Sequence, residues 1–403
     1  MQHSVLVVGG GKWQIPLLQK LKQYGFYVIC TNLLDNSPGF KYSDKSYVLD
    51  IRDKESNLEI AKKHNILMAF TDQTDIAVPT VAYINEKLSL DGVGIDVADL
   101  FTDKYKMRQQ LKAPGLFHPK FRLCKSENEL QDFYESIKSD VIIKPVDSQS
   151  SRGVYVIKEN EKIDHIFANS LKYSRKKALI VEEFINGIEI TVEGFKGRNK
   201  SHNTLCVSRK SHFPHTFGVA NSLTYEPSFD WIDRSKIATI NDLIYEMLPF
   251  GLTHTEYIFS KKKLYLVEAA IRGGGTNVSS HIVPSLTGCD YLSTFIEESL
   301  FRIDLKSSNN KYIPRKYSYA LLEFLEIAPG ILSSFNINRK KIMKNLNILD
   351  FDIKLKPNHK INLPCDDSSR LGYYIGVSNS KEELNKLKQH VIENIKLNYD
   401  FKI

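Results

Sequence analysis

Two glutamates on a predicted β-hairpin are the residues whose types and spacing most directly suggest chemistry. Glu256 and Glu268 lie twelve residues apart in the segments TEYIF and LYLVE, with the polar loop SKKK between them. β-Branched and aromatic runs joined by a short polar loop are typical of a hairpin. Pairing the runs about Lys262 puts Glu256 directly opposite Glu268. The same pairing puts Ile258 opposite Leu266, on the same face of the hairpin.

The two carboxylates would repel each other in this arrangement. Like charges directly opposite in a sheet are destabilising, and burial adds to the cost because it disfavours the charged form. A divalent cation between the carboxylates would remove the conflict, and Mg²⁺ prefers carboxylate oxygens together with nucleotide phosphates. The pair therefore predicts either a Mg²⁺ site or the solvated end of an ordinary hairpin.

A lysine at the end of a predicted strand is a candidate for binding an anion. Lys144 ends the apolar run VIIK, and the loop DSQSSRG, made mostly of small polar residues, follows within nine residues. The backbone N–H groups and hydroxyls of such a loop, together with a lysine, suit a phosphate. A surface lysine beside a plain hairpin loop is the alternative that these residues leave open.

Two further predicted strands could surround a nucleoside. The segment ALIVEEFINGIEITVEG indicates a strand, a glycine-containing turn and a second strand in which acidic and apolar residues alternate. The backbone edge of residues 182–185 could hydrogen-bond an adenine. Glu189 could accept hydrogen bonds from ribose hydroxyls.

The elements that must position these groups begin with an alternation of strand and helix signals. In chain order the predicted elements are strand 4–8, helix 15–24, strand 27–30, strand 47–49, a helix that ends at His64, strand 67–70 and helix 77–88. This rhythm predicts a doubly wound parallel βαβ domain.

A glycine-rich turn follows the first predicted strand. Residues 9–11 are all glycine, but Gln14 stands where a dinucleotide fingerprint has its last glycine, and no Ser or Thr follows Lys12. The pattern is therefore neither a complete dinucleotide fingerprint nor a P-loop. The turn either holds an anion at a helix N-terminus or serves only as a tight turn.

The sequence changes character near Leu100 and again at the polar run SSNN, residues 307–310. The predicted domains are residues 1–100, residues 101–310 with a small lid at about 120–190, and residues 311–403. Strand-like stretches at 317–324 and 372–377 and an amphipathic helix near 381–394 belong to the third domain.

Composition limits the class of protein. The chain has 403 residues, 42% hydrophobic and 25% charged, which is typical of a globular protein with two to four domains. The five cysteines are scattered without a CxxC pair, so neither a zinc site nor a disulfide framework is expected. Residues 1–8 have no basic region before a long apolar stretch, and no run approaches 18 apolar residues, so neither secretion nor a membrane span is expected. A cytoplasmic protein without a membrane partner is therefore expected.

The formal net charge of +8 arises mainly from short lysine- and arginine-rich runs. Such runs are typical of solvated surface, and no aromatic-interleaved basic stripe indicates nucleic-acid binding. No nucleic-acid partner is expected, whereas an anionic small-molecule substrate is compatible with this charge.

Taken in order, these segments resemble the ATP-grasp superfamily, in particular its carboxylate–amine ligase branch, which includes L-amino-acid-ligase-like and carbamoyl-phosphate-synthase-like enzymes. The resemblance is carried by TDKYKMRQ, IIKP, SQSSRGV, VEEFINGIEITVEG, TEY and VEAAIRGGG, which span about residues 101–280. It implies a mixed α/β and α+β architecture. The N-terminal βαβ domain would precede an ATP-grasp fold with a small lid subdomain and a C-terminal α+β subdomain.

The resemblance implies how the nucleotide phosphates are bound. Lys104 and Lys144 would contact the phosphates of ATP from either side of the lid. The flexible loop at residues 148–153 would close over the phosphates, with contacts from Ser148, Ser151 and Gly153.

It also implies how the nucleoside is bound. Glu182 and Ile185 would bind the adenine edge through backbone groups, with Glu183 nearby. Glu189 would hold the ribose.

The resemblance further implies the metal ligands and the catalytic residues. Glu256 and Glu268 would bind Mg²⁺, with Mn²⁺ as the alternative ion. Arg272 and Lys144 would stabilise the charge on the transferring phosphoryl group and on an acyl-phosphate intermediate.

One position departs from the family pattern. The family often has an Asn two residues after the second metal-binding Glu, where this chain has Ala270. The change is interpreted as a marker of the branch, and it weakens the case for two tightly bound metal ions. Asn277 either compensates as a ligand or substrate contact or has only a loop role.

Two other segments are candidates for the acceptor site. Residues 209–218, RKSHFPHTFG, contain cationic side chains that could meet a carboxylate. Residues 71–75 follow a strand of the N-terminal domain and face the expected crevice of a doubly wound sheet. A helix cap at Thr74 or Asp75 is the competing account of the second segment.

The predicted activity is the ATP-dependent joining of a small-molecule carboxylate and an amine, with release of ADP and phosphate. A carboxylase-like or carbamoyl-phosphate-synthase-like enzyme that phosphorylates bicarbonate is the nearest alternative. A non-catalytic ATP-binding protein is the alternative from another class, and a dehydrogenase is disfavoured by the broken glycine fingerprint. A homodimer is compatible with the resemblance.

Overall fold

The computed structural model of the protein describes residues 2–158, 163, 165–216, 218–303 and 317–402. The polar run at residues 307–310 and the predicted domain boundary after residue 310 lie outside the described residues. Within the described ranges, no helix combines the length and the apolar character needed to cross a bilayer.

The N-terminal part of the chain is a four-stranded parallel sheet with strand order β3-β2-β1-β4. Its elements are β1 Ser4–Val8, α1 Ile15–Gln23, β2 Tyr27–Asn32, β3 Lys45–Val48, α2 Lys54–Lys63, β4 Ala69–Phe70, α3 Val78–Lys87 and α4 Ile95–Leu100. Val5 and Val7 pack into one apolar core and Leu6 and Val8 into another, because the sheet is covered on both faces. The predicted parallel βαβ domain is confirmed.

The next part of the chain contains a small antiparallel sheet with strand order β6-β9-β7-β8, here called the lid sheet. The elements in this part are α5 Lys104–Gln110, β5 Leu116–Phe117, β6 Phe121–Cys124, α6 Glu127–Ile137, β7 Val141–Pro145, β8 Tyr155–Ile157, α7 Ile166–Leu171 and β9 Leu179–Glu183. Leu130 of α6 and Phe167 of α7 pack on the lid sheet in one apolar cluster.

A nine-stranded sheet, here called the central sheet, contains strands in the order 348–353, 372–378, 319–324, 220–225, 202–212, 188–196, 251–260, 263–270 and 116–117. The elements between the lid sheet and residue 303 are β10 Ile188–Lys196, β11 His202–His212, β12 Ala220–Tyr225, α8 Arg234–Ile244, β13 Gly251–Ser260, β14 Lys263–Ala270, α9 Val283–Thr287 and α10 Tyr291–Ser299. Its pairings are antiparallel except for the edge strand β5, which runs parallel to β14.

The C-terminal segment contributes to the central sheet and also forms a sheet of its own. Its elements are β15 Tyr319–Phe324, β16 Gly330–Ile337, α11 Arg339–Lys344, β17 Ile348–Ile353, β18 His359–Ile361, β19 Gly372–Ser378, α12 Lys381–Glu393 and β20 Ile395–Lys402. Strands β15, β17 and β19 extend the central sheet, while β18, β16 and β20 form a separate three-stranded sheet. Side chains from β15 and β19 can therefore reach the same sheet face as β10 and β13.

The hairpin β13–β14 keeps the two glutamates opposite each other, but its register differs from the prediction. Ser260 pairs with Lys263, so the turn contains only two residues, both with positive φ, as two-residue hairpin turns prefer. Ile258 consequently faces Tyr265, and the predicted pairing of Ile258 with Leu266 is wrong.

A β-bulge restores the pairing of the glutamates. Tyr257 pairs with Leu266 whereas Glu256 pairs with Glu268, so Val267 is the extra residue on β14. A bulge re-aims side chains next to it. Tyr257 and Leu266 therefore share a buried core, while Val267 and both glutamates line a cavity.

Candidate functional site

A cavity of about 310 Å³ lies between the lid sheet and the central sheet, here called the lid cleft. Eight of the predicted site residues line this cleft: Lys104, Lys144, Ser148, Ser151, Ile185, Glu189, Glu256 and Glu268. These residues come from α5, both sheets and the loops beside them. The fold therefore gathers residues up to 164 positions apart in the chain, as the contact between Lys104 and Glu268 shows.

Glu182, Glu183 and Gly153 do not line the lid cleft. Strand β9 pairs on both sides, so the backbone of Glu182 lies between two neighbouring strands, and the Glu183 amide donates to the carbonyl of Lys120. The adenine contacts of Glu182 and Glu183 remain predictions. Ile185 lies beyond the end of β9 and reaches the cleft.

Gly153 has a packing role in this structure. Its φ is +75°, and a Cβ at this position would approach Pro145 and Tyr173 to 2.9 Å. Its carbonyl accepts a 2.7 Å hydrogen bond from the hydroxyl of Ser170. The glycine therefore lets the loop after Lys144 turn close to the lid sheet, whether or not it also contacts a ligand.

Lys144 is oriented by a buried carboxylate. Its Nζ lies 2.8 Å from Glu182 Oε2, and Arg108 Nε lies 2.5 Å from Glu182 Oε1. Burial opposes ionisation of Glu182, but the two cations outweigh burial and lower its pKa to about 2. Glu182 therefore serves as a charged anchor behind the cleft, and Lys144 is held at the cleft wall.

The two hairpin glutamates are each paired with a lysine. Lys104 Nζ lies 2.8 Å from Glu268 Oε1, and Lys210 Nζ lies 3.0 Å from Glu256 Oε1. The sequence predicts either a metal ion or solvent beside these two carboxylates. In the structure, lysines also offset the repulsion between them.

The donor set fits a hard divalent cation. The side chains of Glu256 and Glu268 are 21% and 24% exposed, so their oxygens are accessible from the cleft. Among the described residues, no three His, Cys, Asp or Glu side chains form a group that could hold a metal ion by themselves. The protein thus offers two carboxylates, and phosphate or water oxygens would complete the coordination of Mg²⁺.

Lys210 connects the hairpin with Glu189. Its Nζ lies 2.5 Å from Glu189 Oε1, and His212 Nε2 lies 2.8 Å from Glu189 Oε2. Burial would lower the pKa of Lys210, but the carboxylates of Glu189 and Glu256 raise it above its usual range. Lys210 is therefore a fixed positive charge between the two acids.

The side chains of residues 209–212 point to alternate faces of the sheet, because this part of the segment at residues 209–218 is a β-strand. Lys210 and His212 line the lid cleft, whereas Arg209 lines a groove on the opposite face of the sheet. His215 is exposed, and its Nε2 lies 2.9 Å from the carbonyl of Pro364. Phe217 lies outside the described residues.

The loop at residues 148–151 contacts three other parts of the chain. Ser151 Oγ donates to the carbonyl of Gly218, and the Asp75 amide donates to Gln149 Oε1. The Asp367 amide donates to the Ser150 carbonyl over 3.3 Å. The loop therefore covers the cleft while bridging the N-terminal and C-terminal segments.

A second cavity of about 500 Å³ adjoins the lid cleft. It lies between the loops of the N-terminal sheet, the central sheet and residues 367–373, and it shares Lys210, Glu256 and Glu268 with the lid cleft. Arg272 lines this second cavity. Its Nε and Nη2 donate to the two carboxylate oxygens of Asp75 at 3.0 and 2.7 Å, which fixes the plane of the guanidinium.

Sequence reasoning missed a buried histidine in the second cavity. His254 Nδ1 lies 2.6 Å from Glu193 Oε1, and its Nε2 lies 3.6 Å from Glu256 Oε1. Burial lowers the pKa of His254, but Glu193 and Glu256 outweigh burial and raise it to about 9. His254 lies two residues before Glu256 on one strand, so both side chains lie on the same face of the sheet. This spacing is the sequence feature from which His254 could have been predicted as a site residue.

The segment at residues 71–75 reaches the second cavity as predicted from its position after a strand. Gln73, Thr74 and Asp75 line the cavity, and the Thr74 side chain makes no helix-cap hydrogen bond. Asp72 is fully buried and accepts from the Gly273 amide and the Ser279 hydroxyl. The loop therefore fixes the segment that follows β14.

Asn277 has a structural role in the described contacts. Its φ is +60°, its amide N–H donates to Gln73 Oε1, and its side chain donates to Asp350 Oδ2. It does not line either cavity.

The glycine turn after β1 is closed by its own neighbours. The Gly11 amide donates to Gln14 Oε1 over 3.0 Å, and the Gly9 amide donates to the Thr31 carbonyl over 2.9 Å. A Cβ on Gly10 would lie 2.8 Å from Cys30 Sγ. These contacts occupy two of the three glycine amides and so favour the tight-turn account over anion binding.

Comparison with known proteins identifies the class of the central part of the chain. Residues 109–277 match the family model of the ATP-grasp domain. The chain therefore contains an ATP-grasp domain, as its motifs and the two facing sheets indicate, and the predicted ATP-grasp resemblance and fold class are confirmed.

Relatives and solved structures extend this comparison. The chain is 26% identical over 199 residues to formate-dependent phosphoribosylglycinamide formyltransferase from Methanocaldococcus jannaschii, covering 46% of this chain and 49% of the relative. The chain thus spans about half the length of the curated relatives it matches.

Two solved structures share the fold over nearly the whole chain. The L-amino acid ligase from Bacillus licheniformis superposes with a TM-score of 0.78 at 17% identity, covering 99% of both chains. The biotin carboxylase domain dimer of 2-oxoglutarate carboxylase from Hydrogenobacter thermophilus, in complex with MgADP and bicarbonate, superposes with a TM-score of 0.74 at 15% identity. It covers all of this chain and 92% of that one. At these identities the likeness shows the fold alone.

Proposed function

We propose that the protein is an ATP-dependent carboxylate–amine ligase. The observation that carries this proposal is the meeting of the lid cleft and the second cavity at one wall, formed in part by Lys210, Glu256 and Glu268. A nucleotide in the cleft and an acid in the second cavity are thereby placed next to each other. The sequence relative named above is a formate-dependent phosphoribosylglycinamide formyltransferase, and this name supports an enzyme that uses a small carboxylate and an amine.

The lid cleft binds ATP in this proposal. Residues 184–187 and Glu189 meet the nucleoside, while Lys104, Lys144 and the loop at residues 148–151 meet the phosphates. Glu182 acts through Lys144, because its carboxylate holds the ammonium at the cleft wall. Glu256 and Glu268 hold Mg²⁺, which when bound neutralises phosphate charge and polarises the phosphoryl oxygens.

The proposed reaction has two chemical steps, phosphoryl transfer to the acid and attack by the amine. A carboxylate oxygen of the acid attacks the γ-phosphorus, the bond to the β–γ bridging oxygen breaks, and ADP leaves. The amine nitrogen then attacks the carbonyl carbon, the C–N bond forms, phosphate leaves with the C–O bond electrons, and the amine loses a proton. Arg272 and Lys144 stabilise the negative charge during transfer, and the loop at residues 148–151 keeps water from the acyl phosphate.

The organisation of the chain belongs to the same proposal. Residues 1–100 form the N-terminal substrate domain, residues 101–310 the ATP-grasp domain, and residues 311–403 the C-terminal subdomain. We also propose that the protein is cytoplasmic, consistent with five free thiols among the described residues, and that it forms a homodimer. Light scattering that gives twice the chain mass of 46.2 kDa would support the dimer, and a mass equal to one chain would contradict it.

The experiment that tests the activity is ADP and phosphate release from Mg²⁺–ATP with pooled carboxylic acids, measured with and without pooled amines. Release that requires both an acid and an amine supports the ligase. Release with bicarbonate alone supports the carboxylase-like alternative. ATP binding without release under any condition supports a non-catalytic ATP-binding protein.

A further inference from the structure

We propose that Glu193 is a positioning residue for phosphoryl transfer, because its carboxylate sets Glu256 and Arg272 relative to each other. This inference rests on the proposed function, in which Glu256 binds Mg²⁺ and Arg272 stabilises the charge of the transferring group. Glu193 itself lies on β10, its side chain is fully buried, and it lines neither the lid cleft nor the second cavity. It therefore acts only through the residues that it holds.

One oxygen of Glu193 holds a ring beside Glu256. Glu193 pairs with His254 across strands β10 and β13, and its Oε1 lies 2.6 Å from His254 Nδ1. The Nε2 of the same ring lies 3.6 Å from Glu256 Oε1. A side chain whose rotamer is locked by a buried hydrogen bond gives its neighbours a fixed surface. The contact with Glu193 therefore fixes the His254 ring next to a proposed metal ligand.

The other oxygen of Glu193 holds the backbone just after Arg272. The ladder between β13 and β14 ends at the last residue of β14, so strand pairing does not fix the residues that follow. The Gly274 amide donates to Glu193 Oε2 over 3.0 Å, and the Gly273 amide donates to Asp72 Oδ1 over 2.9 Å. Two buried carboxylates, one from the central sheet and one from the N-terminal segment, therefore hold successive amides directly after Arg272.

The contact between Gly274 and Glu193 requires a glycine. A Cβ at Gly274 would lie 2.6 Å from Glu193 Oε1, whereas a Cβ at the next residue, Gly275, would meet nothing within 4 Å. A residue without a Cβ permits such a close approach of the backbone. The sequence of this segment is therefore matched to the buried carboxylate, and a side chain at Gly274 would displace it.

The position of Arg272 is thus fixed at both ends. Its guanidinium is held by two hydrogen bonds to Asp75, and the backbone after it is held by Glu193. A preorganised charge stabilises a transition state without having to move during the reaction, and a misplacement of about 1 Å can slow a reaction about a hundredfold. Loss of Glu193 should therefore slow turnover. ATP binding should stay intact, because neither Arg272 nor Glu193 lines the lid cleft.

The test measures kcat and the KM for ATP of Glu193→Gln in the ADP-release assay with the full chain. The value of kcat is expressed per molecule that binds ATP in calorimetry, so that unfolded protein does not count. The carboxamide keeps the shape of the side chain but has one acceptor oxygen instead of two. We expect kcat to fall about tenfold or more, with the KM for ATP unchanged.

A double variant separates positioning from a general loss of structure. If Glu193 acts through Arg272, Glu193→Gln combined with Arg272→Lys should be little slower than Arg272→Lys alone. Asp290→Asn is the matched control, since Asp290 is a 5% exposed acid that pairs with Lys20 at 2.9 Å and lines neither cavity. This control should lower Tm and leave kcat per ATP-binding molecule unchanged.

Gly274→Ala is the second variant if Glu193→Gln does not fold. Its methyl group would displace the same carboxylate from the other side, and the same fall in kcat is expected. An unchanged kcat in the variant that folds, or losses that add in the double variant, would overturn this inference and leave the ligase intact. No ADP release by the wild type with any acid and amine would overturn the ligase and this inference with it.

Discussion

Nζ of Lys104 lies 2.8 Å from Oε1 of Glu268 and 2.7 Å from the carbonyl oxygen of Ser148. One lysine thus joins the proposed metal-binding hairpin to the loop that covers the cleft. A cation that binds Glu268 competes with this ammonium, which is then free to contact a phosphate. In the proposed function, Lys104 and Glu268 would exchange partners when the nucleotide and the metal ion bind, and the charge of each would stay balanced.

Glu268→Gln should abolish ADP release while the protein stays folded. The amide keeps the shape of the side chain but is a poor ligand for a hard cation, so we expect turnover to fall about a hundredfold or more. Steady-state ADP release over a Mg²⁺ titration measures the effect. Glu59→Gln, at a 68% exposed glutamate on α2, is the matched control. Turnover of Glu268→Gln near that of the control would refute the metal assignment.

Lys144→Met should weaken the use of ATP more than it slows turnover at saturating ATP. The ammonium is held at the cleft wall by Glu182, and its loss removes one positive charge from the phosphate side. We expect the KM for ATP to rise about tenfold, which corresponds to about 1.4 kcal/mol. Lys62→Met, at an exposed lysine on α2, is the control. An unchanged KM for ATP would show that Lys144 has only a structural role.

Glu182→Gln should reduce stability at neutral pH and change its dependence on acid. The pKa of Glu182 is lowered to about 2 by Arg108 and Lys144 against the opposing effect of burial. Its ionised form therefore contributes stability above the ordinary glutamate pKa of about 4.3, and this contribution is lost as the pH falls toward 2. Breaking a buried ion pair typically costs about 3 to 5 kcal/mol.

Urea unfolding at pH 7, 5 and 3.5 measures this effect. The difference in free energy of unfolding between the wild type and Glu182→Gln should be largest at pH 7 and 5 and smaller at pH 3.5. The exposed Glu59→Gln should show no comparable difference at any of these values. A gap that stays constant from pH 7 to 3.5 would mean that folding does not lower the pKa of Glu182.

Local patterns predicted the parts of the fold that depend on neighbouring residues. The apolar strands and amphipathic helices of the N-terminal sheet follow from periodicity, and β1 and α1 begin at the predicted residues, Ser4 and Ile15. The hairpin β13–β14 follows from its two apolar runs. The bulge at Val267 could not be predicted, because an apolar residue at that position fits either a regular or a bulged ladder.

The candidate site depends on contacts that no local pattern contains. Asp75 and Arg272 are 197 residues apart in the chain, and Glu193 and His254 are 61 apart. Motif order predicted that the lysines and glutamates of the cleft would meet. The packing of three sheets determines which acid pairs with each cation. The ion pair between Lys104 and Glu268 could therefore be identified only in the structure.

Arg272→Lys should slow phosphoryl transfer with little effect on ATP binding. The guanidinium is held by two hydrogen bonds to Asp75, at 3.0 and 2.7 Å, and it faces the second cavity instead of the lid cleft. A lysine cannot keep this bidentate geometry and offers a point charge in a different place. Removal of one preorganised group that stabilises transition-state charge typically lowers kcat about a hundredfold to a thousandfold.

The orientation of Arg272 can be tested separately from its charge. Asp75→Asn leaves the guanidinium in place but weakens its anchor, so we expect a smaller fall in kcat, about tenfold, with the KM for ATP unchanged. If the two residues act as a unit, the double variant should be no slower than Arg272→Lys alone. Arg302→Lys, at a 72% exposed arginine that contacts Asp91, controls for a general effect of the substitution. Additive losses in the double variant would show that the Asp75 carboxylate contributes independently of Arg272.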